Sequence, residues 1–142
     1  MTVFAVVVLA LALGPAFLSA EKPADEELQL ISPHWDGIRH EFGDAFEVYY
    51  REKYKKNIRL VWLDVGGGTS EITKYLTARY KPESGTGVDI LFGGGMDILP
   101  DMAKKGLFEA YPLSAEQLAL IPENVNNQEL RDKEFRYHAA CL

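Results

Sequence analysis

Apolar and polar positions along the chain switch between a period near two and a period near four, and the switches mark its elements. "LQLISP" at 28–33 is a short apolar run stopped by a proline, which predicts a strand. Ile38, Phe42, Ala45, Phe46 and Tyr49 then recur at helical spacing, with Arg39, Glu41, Glu47 and Glu52 on the other faces. This aromatic stripe is expected to pack as core against a sheet. "IRLVWLDV" at 58–65 is almost continuously apolar, which suits a parallel strand covered on both faces. Ile72, Tyr75, Leu76 and Tyr80 form a second helical stripe, and "GVDILF" at 87–92 reads as a third strand. A third helix passes through Ile98, Leu99, Met102 and Ala103, with Lys104 and Lys105 in its last turn and Gly106 just beyond as the stop. Ser114 and Gln117 have the spacing of a capping box for a fourth, short helix that Pro122 ends. The order βαβαβα predicts an α/β domain, a three-layer sandwich around a mainly parallel sheet.

That layout gives three loops a common place. In right-handed βαβ units the loops that follow the strands gather at the carboxyl edge, where ligands bind. Here they are "SPHWDG" (32–37), "GGGTS" (66–70) and "GGGM" (93–96). A glycine lets a ligand approach the backbone closely and lets N–H groups point inward. Thr69 and Ser70 can cap a helix or offer hydroxyls, beside free N–H groups that favour negative partners. Glu71 and Asp97 complement a helix dipole there, and they also remove positive potential from the same place. The balance points to a zwitterionic, cationic or polyhydroxylated ligand rather than a bare anion. The Trp35 indole is open to two roles, stacking on a sugar ring or a cation, or core packing. His34 has no companions at metal-ligand spacing, so no metal site is expected. His40 and His138 read as surface or satisfied polar residues.

Composition narrows the classes. With 142 residues the chain allows one small domain, and a mixture of 47% hydrophobic and 25% charged residues is that of a globular protein. A net charge of −6 serves solubility and argues against a nucleic-acid partner, which calls for a basic face. Cys141 is the only cysteine, so no intrachain disulfide forms. The first twenty residues differ from the rest. "VFAVVVLALAL" (3–13) is uncharged, Gly14 and Pro15 break it, and Ser19-Ala20 precede the charged "EKPADEE". This reads as a cleavable export signal over 1–20 with a mature chain from Glu21, although Met1-Thr2 supply no basic residue. A retained anchor is the competing reading, because spanning takes about 20 apolar residues. With no cysteine at the cleavage point, no lipoprotein is indicated. Residues 21–27 form an extension and 28–142 the domain. No nucleophile–base pair, metal cluster or paired carboxylates can be assembled, so neither an enzyme nor a cofactor is expected.

The run from "LISPHWDGIRHEF" through "VWLDVGGGTSEITKYL" to "GVDILFGGGMDILPDMAKKGLFEAY" resembles the amino-terminal lobe of bacterial extracellular solute-binding proteins. These are the periplasmic receptors of ABC importers, in particular the group handling iron, polyamines, thiamine and phosphorus-containing molecules. The resemblance covers 28–142. It implies the first lobe of a type II periplasmic binding protein, which captures a small solute for import and is monomeric when complete. The partners it implies are that solute and a membrane permease. It also implies ligand contacts at Ser32, Pro33, His34 and Trp35, at Gly67, Gly68, Thr69 and Ser70, and at Gly93, Gly94 and Gly95. Such a receptor closes two lobes in a hinge motion and needs about twice this chain. "FRYHAACL" (135–142) has the look of a strand just beginning, so a truncated first lobe, not competent alone, is expected; a finished single-lobe domain is the alternative.

Two further readings stand beside it. "LDVGGGTSEIT" (63–73) and "GVDI" (87–90) also resemble the cofactor loop and ribose-binding acid of class I S-adenosylmethionine-dependent methyltransferases, with Asp89 as the acid. An export signal, the complete strand–helix unit before the loop and the "LFGGG" after the acid oppose that. The last reading is a single-domain exported interaction protein.

Overall fold

The computed structural model describes residues 23–139. Residues 1–20, read from the sequence as an export signal with cleavage expected after Ala20, and Cys141 lie outside the described residues. The elements are β1 (Glu26–Ile31), α1 (Asp36–Tyr54), β2 (Ile58–Leu63), α2 (Thr69–Arg79), β3 (Ile90–Leu91), α3 (Leu99–Lys104), α4 (Ala115–Leu120), β4 (Asn124–Val125) and β5 (Gln128–Glu129). The first three strands make a parallel sheet in the order β2-β1-β3. Glu26 stands opposite Ile58 and Ile31 opposite Leu63 on one side, with Ile31 opposite Leu91 on the other.

This order decides which strand is buried. The α1 crossover sets β2 on one side of β1, and the α2 crossover passes back over β1 to add β3 on the other. Right-handed crossovers in opposite directions put their helices on opposite faces. Strand side chains alternate between the two faces. Ile31, Ile72, Leu76 and Met102 form the core under α2 and α3, while Leu60 and Trp62 meet Gly43 of α1. The central strand is therefore β1, with Leu30 and Ile31 buried, and the more continuously apolar β2 sits at an edge. Its apolar run reflects faces covered by helices, not neighbours on both sides.

The α1 stripe departs from expectation. Gly43 is the only buried residue of this helix, and a Cβ there would touch Leu60 and Trp62 at 3.5–3.7 Å, so the helix rests on β2 at this glycine. Phe42 is 47% exposed and Tyr49 49%, Ile38 and Phe46 are half-buried, and no residue of the stripe belongs to the core. The physical reason is coverage: among the described residues no second helix lies beside α1 over β3 on this face.

Only two residues of the expected third strand, 87–92, are strand. Its pairing continues by one residue at each end, since Asp89 N–H donates to Gln29 C=O and Phe92 N–H to Ile31 C=O, both at 2.9 Å. Beyond Phe92, Gly93 and Gly94 turn to φ +86° and +100°, which ends the extended backbone. The helix stops behave as their residues dictate. Gly106 takes φ +72°, its N–H reaches Ala103 C=O and the Leu107 N–H reaches Met102 C=O, closing α3. At α4 the Ser114 hydroxyl accepts from Gln117 N–H while the Gln117 side chain accepts from Ser114 N–H.

Asn126 and Asn127, both at positive φ, turn the β4–β5 hairpin in the manner of a type I′ turn. The expected new strand at 135–142 does not join the parallel sheet within the described residues. Instead the chain folds back on itself, with Asp132 N–H to Tyr137 C=O and Ala139 N–H to Leu130 C=O. The Arg136 guanidinium grips Asp132, with Nη2 to Oδ1 at 3.1 Å, and holds that carboxyl well down, at about 2.

Candidate functional site at the carboxyl edge of the sheet

The loop after β1 begins inside the protein. Ser32 is buried, and its hydroxyl accepts from His34 N–H at 3.1 Å, a local bond that curls the loop over the end of the sheet. From there the His34 side chain reaches across to the loop after β3. A Cβ on Gly93 would fall inside the imidazole, and the ring meets Phe92 edge-on with centroids 5.5 Å apart. Gly94, next along, has Thr69 of α2 and Pro33 as its nearest neighbours, at 3.6–3.8 Å from a Cβ position. Pro33, His34, Thr69, Gly93 and Gly94 are thus brought together from three separate loops. The cause is the strand order: the connections from β1 and β3 leave in different directions, and the gap between them is the topological switch point where open α/β sheets bind ligands.

The glycine loop after β2 is shaped for a turn and then for a helix start. Gly66, at φ +62°, donates its N–H to Asp64 Oδ1 at 2.9 Å, and Gly67 takes φ +142°. Gly68 is the N-cap residue with ordinary extended backbone, and a Cβ on it would meet nothing within 4 Å. The structure corrects one expectation here. Neither Thr69 nor Ser70 caps α2, because both are already inside it and the N-cap makes no side-chain bond. The first-turn N–H groups, which have no partner within a helix, are therefore left to whatever occupies the edge. Gly67, Gly68 and Ser70 are exposed on this edge beside the cluster.

Trp35 had two roles open, and the structure excludes core packing. The residue precedes α1 with extended backbone, its indole lies over Gly37, and it is 71% exposed. Gly95 belongs to the turn towards α3, where the Asp97 carboxylate occupies the space a Cβ would need.

Charge at the edge is mostly acidic. Arg39 pairs with Asp36 at 2.6 Å and Lys74 with Glu71 at 3.6 Å. Glu71 folds over Gly67, its Cγ 2.7 Å from a Cβ position there. Among the described residues Asp64 is engaged by the Gly66 N–H alone. Among the described residues no group of three His, Cys, Asp or Glu side chains could hold a metal ion. What the arrangement offers a ligand is glycine backbone, helix N–H groups, the Thr69 and Ser70 oxygens and carboxylates, with an imidazole in the middle.

Phe92 is the residue that sequence reasoning passed over. Its ring packs against those of His34, Phe42 and Trp62, with centroids 5.5, 5.4 and 6.1 Å away, so it ties the loop cluster to the α1 face of the sheet. The alternation within "ILF", which turns Leu91 to the α2 face and Phe92 to the α1 face, was the available signal. Asp89 sits at the opposite end of β3, and its carboxylate accepts from Gln29 N–H at 2.7 Å. With β1 between β2 and β3, that acid does not stand beside the glycine loop as a ribose-binding acid would. No family model, curated protein or solved structure is significantly similar to this chain. The class that fold and edge define is an α/β unit whose glycine-rich loops meet at its switch point.

Proposed function

We propose that this chain is the solute-contacting lobe of an exported binding protein, which captures a small solute for a membrane importer. One observation carries the reading: loops from three strands converge at the carboxyl edge, with Gly93 under His34 and Gly94 between Thr69 and Pro33. The apolar, breaker-terminated segment at 1–20 and the resemblance of 28–142 to solute-binding lobes support it. The acidic balance of the edge favours a solute bearing hydroxyls or an amine over a bare anion.

The test is a titration of the isotope-labelled chain, followed by amide NMR, with metals, polyamines, phosphonates, sugar phosphates and polyols. One class should move the amides of His34, Gly68, Thr69, Gly93 and Gly94 together. Affinity should be weak, because a single lobe leaves one side of the solute in water where enclosed sites bury about 70–90% of a ligand. If no compound moves those amides, or those that bind move only distant ones, the reading fails. A second reading, a single-domain interaction protein, is favoured by the exposed Phe42, Tyr49 and Tyr54 along α1. Self-association or partner capture that protects α1 amides, with the loop amides unaffected, would select it.

A further inference from the structure

We draw no further inference here: the strongest candidate, the apolar cleft of about 170 Å³ between α1 and the β3 side of the sheet, walled by Leu28, Leu30, Phe42, Phe46, Ile90 and Phe92, is an unpartnered face, and nothing in the structure shows what covers it.

Discussion

Gly93→Ala is the substitution that most directly probes the meeting of the loops, because it carries two separable penalties. The first is local. Gly93 sits at φ +86°, where an L side chain is strained by about 1–2 kcal/mol. The second depends on a residue 59 positions away in the chain, since the new methyl would stand where the His34 imidazole is. Only the far end of a flexible side chain has to yield, so the ring swings out rather than the backbone tearing. What is lost is its contact with Phe92, about 1 kcal/mol on the scale of aromatic pairs. Gly93→Ala should therefore cost about 2–3 kcal/mol. In a His34→Ala background the ring is already gone, and the same change should cost only about 1–2 kcal/mol. The coupling in the double-mutant cycle is then about 1 kcal/mol, above the few tenths seen for independent sites. Urea unfolding followed by circular dichroism measures all four corners, and a constant slope across them keeps the two-state treatment valid. Additive costs, within about 0.3 kcal/mol, would mean that His34 does not rest on Gly93, and the convergence of the loops would fall with it.

Other consequences are as specific. Gly68→Val points its side chain into open space from ordinary backbone, so stability should fall only by the about 1 kcal/mol that valine costs at an N-cap, while solute binding at the edge is lost; unchanged affinity by calorimetry would show that the loop serves packing alone. Gly43→Ala puts a methyl in ordinary contact with Leu60 and Trp62 inside a helix, so it should stabilise by about 0.5–1 kcal/mol, and a lower melting temperature would place α1 closer to β2 than described. The Asp132 carboxyl is held below its ordinary value, to about 2, chiefly by its hydrogen bond with Arg136. Its stabilising contribution is full above about pH 5 and is lost as pH falls towards 2. Asp132→Asn should remove that part of the acid dependence; identical acid-unfolding curves for the two proteins would refute it. Amino-terminal sequencing from a periplasmic extract should find Glu21, and an intact Met1 in the membrane fraction would overturn the export reading.

Local chemistry was legible in the sequence because its causes are local. The periods of α1 and α2, the capping box of Ser114 and Gln117, and the Gly106 stop all depend on residues within a turn or two of one another. The clustering of three loops at one edge also followed from the sequence, since parallel strands joined by right-handed crossovers leave little choice. What the sequence does not carry is the direction of each crossover. That direction made β1 central, parted Asp89 from the glycine loop by a strand, and gave its carboxylate to the Gln29 N–H. Nor does an apolar stripe say what will cover it. The period of Phe42, Phe46 and Tyr49 reports a face, and only the arrangement of the remaining elements left that face half open and Trp35 in water. Burial is a property of neighbours brought from far along the chain, so it is settled only when the tertiary structure supplies or withholds them.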